Sequence, residues 1–217
     1  MKSYKKLNDF GKYSIYGLNN KPTIQITNNK VVVTNKTKHF SLIREYSIVN
    51  DKLLFSMFMT TGNNVVPNRI GVQLNLDSTF NNMEYFGKGP YDHYQGKDES
   101  GIISIYNQNI YDQDKYVRCQ EHGNKNHIHW AKVKSDKYSI NIEKDETELN
   151  MSIWPYTLRD LHMAQHINEL PTHDITTVNI DCIQNGLSDC FVKCDEKYMI
   201  KTNHTYSYSF YINVDKL

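Results

Sequence analysis

"FSLIREYSIVNDKLLFSMFMTT", running from Phe40 to Thr61, decides the fold class. Phe40, Leu42, Tyr46 and Ile48 alternate with Ser41, Glu45 and Ser47, and past Asn50 and Asp51 the alternation resumes at Phe55, Met57 and Met59. A repeat of two puts successive side chains on opposite faces of a strand, and an Asn-Asp pair tolerates a tight turn, so the stretch is a β-hairpin. The device recurs outward. "TIQITNNKVVVTN" reads as two strands about an Asn-Asn-Lys turn and "RIGVQLNL" as another strand. "KYSINIEKDETELNMSIW" reads as a further hairpin, with "HDITTVNIDCI" and "HTYSYSFYINV" as closing strands. Nine or more strand candidates predict an all-β fold, a sandwich or barrel. No repeat, low-complexity tract or Gly/Ser/Pro linker divides residues 1–217, so one domain is expected.

The totals exclude several function classes. With 25 basic and 24 acidic residues scattered along 217, the net charge of +1 offers no extended field for a phosphate backbone, which argues against nucleic acid. No apolar run reaches the roughly 18 residues that span a bilayer, and the opening "MKSYKKLNDFGKYSIYG" has no apolar stretch after its lysines. A cytoplasmic protein without a membrane partner is expected. Cys119, Cys182, Cys190 and Cys194 show no paired CxxC spacing and read as reduced thiols. The Asn-x-Ser/Thr triplets at Asn35, Asn150 and Asn203 carry no weight in that compartment.

One segment departs from the period of two. In "YTLRDLHMAQHIN", Leu158, Leu161, Ala164 and Ile167 stand three apart, Thr157 and Asp160 have capping-box spacing, and Pro171 follows. A single helix of about three turns is predicted. His162 and His166 lie one turn apart on it, but Met163 stands where a zinc protease needs Glu, and His166 with Glu169 reads as a helix-end hydrogen-bonding pair. In "NHIHW", His127 and His129 would share one face of a strand, yet no carboxylate has a spacing that marks it as a third ligand, and no metal site is expected. Ser188 and Cys190 lack a nucleophile-elbow signature, and "GKGP" cannot be a phosphate loop because proline removes a needed N–H.

Three segments taken together go further. "EYFGKGPYDHY", "YVRCQEHGNKNHIHW" and "WPYTLRDLHMAQHINELPTHDITTVNIDCIQNGLSDC" follow one another in order and spacing. Across roughly Tyr46 to Tyr211 they resemble the C-terminal domain of β-galactosidases of glycoside hydrolase family two, the domain that is a separate small chain in some bacteria. This chain departs from the family wording at His93, Lys97, Cys119, Asn168 and the shortened Gly186-Leu187-Ser188. The position of the loop that approaches the sugar falls on Cys190, whose thiol offers no ring face for stacking. The family's docking turn at the front is missing, so the domain is expected to be trimmed on its N-terminal side.

The resemblance implies a large antiparallel β-sandwich, like that of galactose mutarotases, with one short helix. It implies a non-catalytic part of an enzyme that hydrolyses terminal β-galactosyl residues. Both catalytic glutamates, with magnesium and a monovalent cation, then belong to the catalytic portion, which is the expected partner in a homo- or hetero-oligomer. No cofactor is expected in this chain. Two alternatives are a stand-alone carbohydrate-binding module and, through the shared fold, an aldose 1-epimerase using His127 or His129 with Glu121 or Glu169. Within "MEYFGKGPYDHY", Gly87 to Pro90 reads as a turn, and Tyr85 and Phe86 must face opposite sides. Tyr91, His93 and Tyr94, beyond the turn, are the expected contacts with the catalytic portion.

Overall fold

The computed structural model describes residues 21–37, 39–63, 67–97, 99–186 and 194–217. β1 (Thr23–Ile26), β2 (Lys30–Lys36), β3 (Phe40–Val49) and β4 (Lys52–Thr61) pair in sequence as antiparallel neighbours. Asn50 and Asp51 join β3 to β4 with φ of 50° and 60°, the left-handed turn conformation that matches strand twist. The next strands are β5 (Arg69–Asp77), β6 (Asn82–Gly89), β7 (Ile102–Asn109), β8 (Lys125–Ile128) and β9 (Trp130–Lys134). They are followed by β10 (Tyr138–Lys144), β11 (Leu149–Trp154), β12 (Ile175–Gln184) and β13 (Thr205–Lys216). Two antiparallel sheets result, one of nine strands ordered β1-β2-β3-β4-β13-β10-β9-β6-β7 and one of four ordered β5-β12-β11-β8.

The all-β expectation holds, and the core lies between the sheets. Phe55, Met57, Tyr208 and Phe210 of the large sheet share one apolar cluster with Ile70, Ile153, Val178 and Ile180 of the small one. Each fully buried side chain of this size contributes about 1.5–3 kcal/mol. Tyr85 is fully buried in this cluster, whereas its neighbour Phe86 turns the other way, towards His129 and Trp130.

The predicted hairpin "KYSINIEKDETELNMSIW" does not form. β10 pairs with β9 and β13, while β11 pairs with β8 and β12 in the other sheet. The cause is burial: Met151, Ser152, Ile153 and Trp154 of β11 are all buried, so this strand needs cover on both faces. It finds that cover in the middle of the small sheet, whose far side is closed by Trp154, Tyr156 and Leu161. The chain therefore changes sheets between β10 and β11, and again between β8 and β9, where Ile128 pairs with Leu149 and Trp130 with Glu143.

Two local expectations are also corrected. Gly87 and Gly89 lie in strand β6, where a Cβ on Gly87 would come within 2.6 Å of Ile128 Cδ1 and one on Gly89 within 2.4 Å of the Tyr85 hydroxyl. Close approach accounts for these glycines, and the turn begins only at Pro90. The helix α1 (Leu158–Met163) is shorter than predicted. Its capping box of Thr157 and Asp160 is present, but Ala164 leaves helical geometry and a separate 3-10 turn holds Ile167–Glu169. A β-bridge from His166 to Arg118 pulls the backbone out of the helix there. No helix among the described residues is long and apolar enough to cross a membrane.

Candidate functional site

The end of β6 carries the first group of predicted contacts. Tyr91 is 67% exposed, but His93 and Tyr94 are buried in the chain's own interior, contrary to their expected place on a partner surface. The reason is a backbone stitch: the His93 N–H donates to the Asn124 carbonyl at 2.7 Å, and Asn124 Nδ2 donates back to the His93 carbonyl at 2.7 Å. Tyr91 is left outside because Lys125 Nζ, itself buried, donates to the carbonyls of Pro90 at 3.0 Å and Tyr91 at 2.9 Å. Cys190 lies outside the described residues.

Burial brings the Lys125 ammonium down to about 8 from its ordinary 10.5, with Asp92 and Asp114 pulling the other way. The unfolded chain thus binds this proton more tightly, and the charge costs stability most below pH 8, a cost that fades as pH rises towards 10.5. Unfolding free energies from urea titrations of the wild type and Lys125→Met should accordingly shift in the wild type's favour by about 1 kcal/mol from about pH 7.5 to about pH 9. Parallel curves would contradict this assignment.

Between the small sheet and the segment around Glu121 runs a buried polar chain that the sequence did not suggest. Arg69 donates twice to Asp181 Oδ2, at 3.1 and 2.7 Å, and reaches Glu121 at 2.9 Å. Burial alone would weaken the guanidinium's hold on its proton, but Asp181 and then Glu121 reverse this and keep it charged. Burial pushes the Asp181 carboxyl up, and Arg69 and then Gln184 oppose it. Gln184 Nε2 donates to Asp181 at 2.7 Å and to Asn124 Oδ1 at 3.0 Å, and Asn124 Nδ2 donates to Asn126 Oδ1 at 2.7 Å. A register shift in β12 beside Asp181, and Gly71 across from it with no Cβ to block the carboxylate, make room for this arrangement.

The chain of amides ends at an open cleft of about 510 Å³ bounded by Gln95, Asn126, His127, Glu148, Asn150 and Tyr198. His127 and His129, expected on one strand face, are separated instead, His127 lying in β8 and His129 at the change of sheet before β9, and His127 has a positive φ of 55°. They converge all the same on Glu148, at the start of β11: His127 Nδ1 meets Oε2 at 2.5 Å and His129 Nε2 meets Oε1 at 3.0 Å. Burial pushes the Glu148 carboxyl up, but the bond and charge of His127, then those of His129, hold it below its ordinary value. The sequence reading missed Glu148 because its partners sit in a different corner of the chain. Glu121 and Glu169, the acids considered for an epimerase, are engaged elsewhere, with Arg69 and with His166 at 3.1 Å. Among the described residues no group of three or more His, Cys, Asp or Glu could hold a metal ion.

Gly186 packs against two residues that bound the cleft, since a Cβ on it would meet Tyr198 Cβ and the Gln95 carbonyl, as well as Cys194 Sγ, within 2.8 Å. The sequence model of the β-galactosidase small chain matches residues 3–212. The chain belongs to the β-galactosidase small-chain family. Its relatives include a β-galactosidase of Lactococcus lactis subsp. lactis (strain IL1403), 28% identical over 214 residues, which cover 92% of this chain and 21% of that protein. A second, from Staphylococcus xylosus, is 25% identical over 195 residues, covering 80% and 19%. The chain thus spans about a fifth of the length of these two relatives, and 13% of the β-galactosidase of Priestia megaterium, to which it is 24% identical over 139 residues. Among solved structures, a galactose mutarotase related enzyme from Lactobacillus acidophilus superposes with a TM-score of 0.46 at 10% identity, covering 91% of this chain and 72% of that one.

Proposed function

We propose that this small-chain domain acts as the non-catalytic part of a β-galactosidase. It completes the aglycone side of the active site and the subunit packing of an enzyme that hydrolyses terminal non-reducing β-D-galactose residues. The family match across residues 3–212 carries this reading. A retaining glycosidase needs two carboxylates about 5 Å apart, one of them a free nucleophile. Among the described residues Glu148 is the one carboxylate bounding the cleft, and both its oxygens are engaged by histidines. The catalytic pair, with magnesium and a monovalent cation, then belongs to the remainder of the enzyme, and the chain alone is inactive. The docking surface is assigned to Tyr91 and to edge strand β7, where Ile102, Ile103 and Ile105 are exposed without a charge between them. The described cysteines Cys119, Cys182 and Cys194 are free, which agrees with a cytoplasmic setting.

The test mixes this chain with a galactosidase lacking its own C-terminal domain and follows a chromogenic galactoside. Restored turnover, lowered by Ile103→Lys and Ile105→Lys, is expected. No gain in turnover together with no binding between the two would sink the proposal.

A further inference from the structure

We infer that the cleft beside Tyr198 is a binding site for a neutral saccharide, used by this chain on its own. Asn126 is 4% exposed, and its amide is oriented without ambiguity. Asn124 Nδ2 donates to a backbone carbonyl and therefore is the nitrogen, so the Asn126 atom facing it is Oδ1. Asn126 Nδ2 is left as a donor that meets no acceptor among the described residues, on a side chain that bounds the cleft. Asn150 offers the complement: its Nδ2 donates to the Cys182 carbonyl at 3.2 Å, and its Oδ1 accepts from no described residue. A fixed donor and a fixed acceptor bounding the same cleft suit neighbouring hydroxyls of a sugar ring, each of which both donates and accepts.

The other lining groups narrow the ligand class. Both Glu148 oxygens are taken by His127 and His129, and the Lys197 ammonium is occupied by Asp195 at 3.3 Å and by the Tyr198 ring at 4.7 Å, so neither is left to pair with an ionic ligand. Gly96 presses on the Tyr198 ring, where a Cβ would come within 2.9 Å, so recognition rests on hydrogen bonds more than on stacking. The positive φ of His127, beside Asn126, is the kind of backbone strain that a binding site retains. This site is independent of assembly with a catalytic portion. Complementation tests assembly and a titration of the chain alone tests the cleft, so either can fail without the other.

The experiment follows the side-chain amide signals of Asn126 and Asn150 in the labelled chain during titration with lactose, galactose and glucuronate. Saturable shifts of both amides with lactose or galactose, at dissociation constants on the order of millimolar, and weaker shifts with glucuronate are expected. Asn126→Ala and Asn150→Ala should each weaken binding about tenfold. Absence of saturable shifts with either neutral sugar in the wild-type chain, which needs no variant, would overturn the inference. So would undiminished binding in both asparagine variants, or glucuronate binding as tightly as lactose.

Discussion

Asp181→Ala is expected to remove about 3–5 kcal/mol of folding stability, read as a fall in the urea midpoint at unchanged slope. The carboxylate accepts two bonds from Arg69 and one from Gln184 in a place where its side chain is 1% exposed. Without it, Gln184 loses its charged acceptor and the guanidinium keeps only Glu121, whose carboxyl burial pushes up and makes a poorer counter-charge. Domains of this kind are stable by about 5–15 kcal/mol in all, so the variant should sit near the edge of folding. The cost comes from stranding a buried charge, and the double variant Arg69→Met with Asp181→Leu should recover most of it, because Glu121, whose carboxyl burial already pushes up, can take a proton once Arg69 is gone. A loss under about 1 kcal/mol in the single variant, or no recovery in the double, would show that the pair is not energetically isolated from water.

A second large effect is expected in acid. His122 is buried, its Nε2 bonded to the Tyr156 hydroxyl and its backbone carbonyl accepting from Trp154 Nε1 at 2.8 Å. Burial and then the Lys115 charge bring the imidazole down from 6.5 to about 4, so the folded chain holds it neutral while the unfolded chain takes up a proton near 6.5. Between those values the unfolded state binds more protons, and stability falls as pH is lowered. By pH 4 the loss from this group is about 3 kcal/mol. His122→Phe keeps the ring contacts with Trp154 and Tyr156, whose centroids lie 6.3 and 5.9 Å away, and gives up the titration. It should be less stable than the wild type at neutral pH, where the Tyr156 hydroxyl loses its partner, yet show a flatter acid limb. Equal slopes for the two proteins between about pH 7 and pH 4 would remove His122 from the account.

Much of the sandwich was legible because strand character is local. The hairpin from Phe40 to Thr61, the turn at Asn50 and Asp51, and the cap formed by Thr157 and Asp160 depend on neighbours a few residues away, and all are present. Sheet membership was not legible. β10 and β11 carry the same alternation, and only the burial of both faces of β11 sends it to the other sheet. The glycines of β6 misled for a similar reason, since a sequence does not show that Ile128 and Tyr85 will press against them.

By itself the sequence determined an all-β chain with one short helix and, through three motifs, its family. Tertiary structure decided the candidate site. The two sheet changes set His127 and His129 against Glu148, and the burial of Asp181 orders Gln184, Asn124 and Asn126 in a line to the cleft. Strand periodicity follows from backbone geometry within a few residues. Which side chains share a buried volume follows from how two sheets close on one another, and residues as distant as Arg69 and Asp181 meet only when they do.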